Sequence, residues 1–258
     1  MSASSHKQAA WQAHIITLFP DMFPGPLGTS LSGRALETGA WACRAHDLRA
    51  FGTGRHRAVD DTPAGGGAGM VLRADIASTA LTHVQSHAQN KAGDLPVLLP
   101  SPRGVPFTQK MAADLAAGGG AIFMCNRFEG VDERFIEAHD LREVSLGDYI
   151  LSGGEVAAFA MLDAIIRLLP GVMGSAASHD EESFTDDLLE YPQYTRPASW
   201  QGRDIPDVLT SGNHGDIAAW RRARAQEITA ARRPDLWARF QARNRVGAPK
   251  KPDDEKSG

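Results

Sequence analysis

The chain has 258 residues, 42% of them hydrophobic and 22% charged, enough to bury a core as one large domain or two smaller ones. Its apolar runs are all shorter than the ~18 residues of a membrane span, and the polar stretch Met1 to Ala10 lacks a signal peptide's apolar core, so a cytoplasmic protein is expected. The net charge of −4 does not suggest a nucleic-acid partner, but residues 196–258 hold 13 Lys+Arg against 8 Asp+Glu, leaving −9 for residues 1–195.

Taken in order, His14 to Phe19 reads as a short strand stopped by Pro20, and Pro24 to Thr38 as turns followed by a helix that ends at Gly39. Trp41 to Leu48 is a second strand, and Gly52 to Gly69 is loop. The run Gly65-Gly66-Gly67-Ala68-Gly69 fits neither G-x-x-x-x-G-K-[ST] nor G-x-G-x-x-G, because Met70 occupies the sixth position of the latter. A helix is expected over 74–92, a buried strand over 97–99, and a helix over 108–117 with Thr108 near its N-cap. Ala121 to Cys125 is an all-apolar strand of the kind covered on both faces of a parallel sheet. A short helix over 132–138 and a last strand over 141–144 complete an alternation of strands and helices that defines an α/β domain.

Residues 155–169 carry a helical stripe of Ala158, Met161, Leu162, Ile165 and Leu169, ended by Pro170-Gly171. Residues 174–189 are polar and acidic, with the composition of a flexible linker. Beyond Tyr191 the pattern is helical, anchored by Trp220, Ile228, Trp237 and Phe240. Within 217–245 there are 8 Arg and 2 acids, which suits a phosphate-contacting face as well as a solvated helix surface. Cys43 and Cys125 lie inside strand-like runs with no zinc-ligand spacing, so buried free thiols are expected.

Three loops follow predicted strands. They are Ser101-Pro102-Arg103-Gly104, residues 126–134 (Asn126-Arg127-Phe128-Glu129-Gly130 onward), and Ser145 to Glu155. The third is apolar and hinged by glycines, which suits either a buried αβ turn or a flat cofactor held by backbone groups. Together with Gly33-Arg34-Ala35, Arg55-His56-Arg57, Tyr194-Thr195-Arg196-Pro197 and the run Leu209 to His214, these loops resemble the bacterial tRNA (guanine-N1)-methyltransferases. That is the TrmD family of the SPOUT methyltransferases, and the resemblance spans roughly residues 13–240.

The resemblance implies an α/β fold with a SPOUT-type parallel sheet, a C-terminal trefoil knot and a small α-helical C-terminal domain. It implies a methyltransferase domain over 1–171, a flexible linker over 172–190 and a basic helical tRNA-binding domain over 191–258 with a disordered tail. The implied reaction is methylation of N1 of guanosine 37 of tRNA, with S-adenosylmethionine as cofactor and a homodimer as the working unit. Some family members depend on magnesium, which the acidic linker could host. Guanine N1 must lose its proton to become nucleophilic, so the reaction needs a positioned methyl, a base and a donor for charge growing on O6.

Cofactor contacts carried over from the family fall on Leu99, Pro100, Ser101 and Gly104, then on Asn126, Phe128, Glu129 and Gly130. In the third loop they fall on Ser145, Leu146, Gly147, Asp148, Tyr149, Ile150, Leu151, Gly153 and Gly154. Asn126 stands where the family commonly has glycine and Phe128 where it has tyrosine, which puts Asn126 at the cofactor rim. Arg167 matches the arginine assigned to O6, although Asp163 and Arg167 are also spaced for an ordinary i, i+4 pair. Glu182, before Ser183-Phe184, matches the family's catalytic carboxylate, usually aspartate, with Asp180 and Glu181 as rivals. Arg55, His56, Asp61, Ser183, His214, Arg221 and Arg222 are the implied tRNA contacts, with capping as the other role open to the histidines. The competing reading from another class is a non-catalytic RNA-binding protein, which would bind cofactor without transferring methyl.

Overall fold

The structure, a computed structural model, describes residues 10–88, 94–173 and 182–246. The chain divides into two units, Met1–Gly174 and Ser175–Gly258.

The first unit is an α/β layer structure. Its elements are β1 (Trp11–Thr17), α1 (Ser30–Thr38), β2 (Trp41–Asp47), β3 (Asp60–Asp61), β4 (Val71–Leu72), α2 (Ala74–His87), β5 (Val97–Pro106), α3 (Gln109–Ala116), β6 (Gly120–Met124), α4 (Glu133–Ala138), β7 (Arg142–Ser145) and α5 (Gly154–Ile166). Five strands form one parallel sheet in the order β2-β1-β6-β5-β7. The apolar run of β6 shows why the sheet is covered on both sides. Alternate side chains point to opposite faces, so Ala121 and Phe123 join the core beneath α3 and α5, while Ile122 and Met124 join the core beneath α2 and α4. Each fully buried Ile or Phe side chain contributes ~1.5–3 kcal/mol of transfer free energy. The helical stripe of α5 is likewise buried at Ala158, Met161, Leu162 and Ile165. The large indoles do not leave orphan donors: Trp11 Nε1–H donates to Leu115 O at 3.0 Å and Trp41 Nε1–H to Ser32 O at 2.9 Å.

Several boundaries differ from the sequence reading. β1 starts at Trp11, three residues early, because Trp11 is buried and pairs with Trp41 in the β2 register. The stretch 52–69 is not all loop, since Asp60–Asp61 pairs antiparallel with Val71–Leu72. β5 does not stop at Leu99. It runs to Pro106, with residues 101–104 bulged out between Pro100 and Val105, both of which pair with Val144. The helix expected to 92 ends at His87, and residues 89–93 lie outside the described ones.

The second unit pairs α6 (His214–Arg232) with α7 (Pro234–Val246), preceded by a small hairpin of β8 (Ser199–Trp200) and β9 (Arg203–Asp204). The helical pattern expected from Tyr191 therefore begins only at His214. Residues 182–190, read by composition as the end of the linker, fold onto these helices. Leu188 is buried with Ala225 and Phe240, Leu189 N–H donates to Thr229 Oγ1 at 2.8 Å, and Asp187 pairs with Arg239 and Arg243 at 3.2 and 3.3 Å. Among the described residues, no helix is long and apolar enough to cross a membrane.

Candidate active site

In an open parallel sheet, the carboxyl ends of the strands offer a crevice where loops can hold a ligand. Here the bulge of β5 and the loops that leave β6 and β7, three neighbours in the sheet, enclose one cavity of about 380 Å³. That volume lies within the ~300–1,000 Å³ range of small-molecule sites. Of the residues carried over as cofactor contacts, all but Gly104 and Asp148 line it.

The first wall is the β5 bulge. Gly104 does not face the cavity, but its missing side chain permits the bulge, since a Cβ there would sit 2.2 Å from Val144 N and 2.3 Å from Glu143 C. Arg103, at the bulge's outer turn, donates to Glu133 Oε2 at 2.8 Å and to both carboxylate oxygens of Glu143 at 3.1 Å, tying the bulge to α4 and β7. The second wall is the loop after β6, closed by hydrogen bonds from the β4 side. Glu129 N–H donates to Met70 O at 2.9 Å and Leu72 N–H to Gly130 O at 3.0 Å. The glycine-run segment is thereby fastened to the cavity wall, and Gly69 leaves space for the Glu129 side chain. Phe128 holds a left-handed backbone (φ 62°), uncommon for an aromatic residue and of the kind that clusters at functional sites.

The floor is the third loop. Ser145 Oγ donates to Gly147 O and accepts from Gly147 N–H, both at 3.2 Å, which fixes the first turn after β7. Tyr149, Ile150 and Leu151 line the cavity and are exposed, Ile150 to 79%. Gly154 N–H donates to Asn126 O at 2.9 Å, joining floor to wall. Asn126 lines the cavity.

Beneath these loops lies an ion pair between Arg127 and Glu155, residues to which the motifs assign no role. Glu155, fully buried in the first turn of α5, accepts from Thr17 Oγ1–H at 2.7 Å and meets Arg127 Nε at 2.9 Å. Arg127 also lines the cavity and donates to Ser152 O at 3.2 Å. The only signal in the chain was the placement of Arg127 and Glu155 inside two of the motifs.

The remaining site residues lie elsewhere. Arg55 and His56 are exposed in a turn closed by the Thr53–Ala58 bridge, and Asp61 caps its own turn through Thr62 N–H at 2.8 Å. Arg167 follows α5 as its C-cap and is absent from the cavity lining. Glu182, Ser183, His214, Arg221 and Arg222 belong to the second unit. Ser183 Oγ accepts from Glu190 N–H at 2.9 Å, so that hydroxyl has a structural partner. The cap of α6 is Asn213 rather than His214. Arg221 lies over the Tyr191 ring at 4.8 Å and Arg222 over Phe240 at 5.8 Å. Asp180 and Glu181 fall outside the described residues.

Both cysteines are free, and burial pushes the Cys43 thiol up to about 11 and Cys125 well above its ordinary range. Neither is a nucleophile near neutral pH. Among the described residues, no group of His, Cys, Asp and Glu is placed to hold a metal ion.

Comparison with known proteins gives the family. The family model described as tRNA (Guanine-1)-methyltransferase TrmD matches residues 11–239. A tRNA (guanine-N(1)-)-methyltransferase of Bradyrhizobium diazoefficiens is 57% identical over 250 residues, covering 96% of this chain and 98% of its own. Proteins of the same description from Gluconobacter oxydans and Roseobacter denitrificans are each 58% identical, covering 92% of this chain and 99% and 98% of theirs. This chain belongs to the TrmD family of tRNA (guanine-1)-methyltransferases.

Proposed function

We propose that this protein methylates N1 of guanosine 37 of tRNA, next to the anticodon, using S-adenosylmethionine. The observation that carries the reading is the cavity enclosed by the β5 bulge and the loops after β6 and β7, in a chain of this family. The lining fits the cofactor's chemistry. It presents apolar side chains at Leu99, Ile150 and Leu151 for a flat base, backbone groups of the glycine-bearing loops for its edge, and the Glu129 carboxylate within reach of a cationic ligand. When bound, the cofactor supplies an electrophilic methyl on a sulfonium.

The chain's own residues do the rest. Loops 99–104, 126–130 and 145–154 orient the ligand. Arg167 donates to guanine O6 as charge grows there, and Glu182 accepts the N1 proton. Both roles rest on the family resemblance. In this reading residues 1–171 form the catalytic domain, 172–190 the connection and 191–258 the tRNA-binding domain.

Dimerisation and the trefoil knot belong to the same proposal. The exposure of Phe128, Tyr149, Ile150, Leu151 and Val156 around the cavity supports a partner subunit covering that face. Magnesium is left to the linker carboxylates, and the protein is placed in the cytoplasm. An unstacked loop base suits extraction into such a cavity, since it needs less energy to extrude than a paired one.

Incubation with unmodified tRNA transcripts and methyl-labelled cofactor, followed by mapping of the modified nucleotide, tests the proposal. Label at N1 of guanosine 37 is expected. Cofactor binding with no transfer would instead favour a non-catalytic RNA-binding protein.

A further inference from the structure

We propose that Arg127 and Glu155 are positioning residues that lock the wall and the floor of the cavity into one register. The inference rests on reading the cavity as an S-adenosylmethionine site. Glu155 is 0% exposed, and removing a carboxylate from water is costly unless it is paired and hydrogen-bonded. Three neighbours offset that cost. The N-terminus of α5 presents positive partial charge, Thr17 Oγ1–H donates to Oε1 at 2.7 Å, and Arg127 Nε stands 2.9 Å from Oε2. Thr17 is itself fixed, because its Oγ1 accepts from Phe19 N–H at 3.0 Å.

Arg127 reaches this carboxylate through the floor loop. A Cβ on Gly153 would lie 2.3 Å from Arg127 Nε, so only glycine lets the guanidinium pass. From there Nη1 donates to Ser152 O at 3.2 Å, and the guanidinium carbon lies 4.5 Å from the Phe19 ring centre. One side chain from the wall loop thus contacts the floor loop, the end of β1 and the start of α5. Its Nε and Nη1 are turned to protein, although the residue lines the cavity. Those contacts make it a brace between the two loops. Nε and Oε2 face each other without the alignment of a hydrogen bond and have no other hydrogen-bond partner, so the charges hold the pair.

An ordinary buried bridge would affect folding alone, and the test separates the two roles. Glu155→Gln keeps the shape and loses the charge, Arg127→Lys keeps the charge and loses the reach, and the double variant Arg127→Met/Glu155→Gln leaves no buried charge unpaired. Calorimetric affinity for S-adenosylhomocysteine, the thermal midpoint and single-turnover methylation are measured on each. Both single variants are expected to bind about tenfold or more weakly, since misplaced site groups are costly well beyond their own contacts. Their rate at saturating cofactor should fall less than their affinity.

In the double variant the thermal midpoint should recover towards wild type while the affinity stays lost. Recovery of affinity together with stability, or wild-type affinity in the single variants, would overturn the proposal. If the double variant does not fold, amide exchange in the single variants decides. Faster exchange across both 126–130 and 145–154 supports the brace, and unchanged exchange overturns it. A wild-type protein that binds no S-adenosylhomocysteine would instead overturn the cofactor reading, and the exchange result would then judge the brace by itself.

Discussion

Acidification from pH 7 to pH 5 is expected to destabilise the first unit through one imidazole. His14 on β1 is 1% exposed, with Nδ1 3.1 Å from His46 Nε2 and Nε2 3.2 Å from Gln12 Oε1. Burial, then the charges of His46 and Arg44, lower its pKa from 6.5 to about 4. His46, stacked on it at 5.3 Å, is lowered too, by burial first and then by His83, Arg44 and His87. The groups facing the pair thus come from β2 and α2, and all of them are cationic or become so in acid.

Between pH 6.5 and 4 the unfolded chain carries a proton on this ring that the folded chain does not. Stability is therefore complete above 6.5, falls as pH falls, and has lost its full increment below about 4. Linkage with these two values gives ~2 kcal/mol lost at pH 5 and ~3 kcal/mol at full protonation, with His46 adding in the same direction. Urea midpoints for wild type and His14→Gln at constant ionic strength, from pH 7.5 to 4.5, measure the difference. Converted to unfolding free energy, wild type should lose about 2 kcal/mol more than the variant between pH 7.5 and 5, while ring resonances show His14 still neutral there. Parallel curves, or a His14 that titrates near its ordinary value, would refute the reasoning.

Glu182→Gln should cut single-turnover methylation by ~10²–10⁴ with tRNA and cofactor still bound, while Glu182→Asp keeps substantial activity; a larger loss on changing Asp180 or Glu181 would move the base along the chain. Gly104→Ala should cost ~1–3 kcal/mol in denaturant unfolding and weaken S-adenosylhomocysteine binding, because the new Cβ meets the β7 backbone at 2.2 Å. Replacing Arg221, Arg222 and Arg224 together by Gln should weaken tRNA binding and flatten its salt dependence without touching cofactor affinity. Part of that loss will register as a lower thermal midpoint, since Arg221 lies on Tyr191 and Arg224 pairs with Glu227 at 2.7 Å.

What the chain disclosed in advance was whatever repeats locally. The β6 run Ala121 to Cys125 is apolar throughout because both faces of that strand are covered, and the α5 stripe follows the helical period onto one core. The three cavity loops were legible for a related reason: each adjoins an apolar strand run and carries a glycine the backbone needs, for close approach at Gly104 and Gly153 and for a positive φ at Gly130.

β5 runs past the expected 97–99 through Pro100, Pro102 and Gly104, residue types that weaken a strand pattern. The bulge resolves that conflict by setting 101–104 outside the ladder, and pairing resumes at Val105. The β3–β4 and β8–β9 pairs have two residues a side, too few for any period to register.

The contacts that shape the site are long-range charge pairs, and these leave no local pattern. Arg103 finds Glu143 on the neighbouring strand and Glu133 on α4, 40 and 30 residues away in sequence, and Arg127 finds Glu155 only after β6, β7 and α5 are docked. In the second unit Arg224, Arg233, Arg239 and Arg243 each pair with an acid, two of them with a near neighbour in sequence, so the charge offered to a phosphate backbone is smaller than the count of arginines suggests. Charge counts bound what a surface can attract, and the pairing decides how much of that attraction is left.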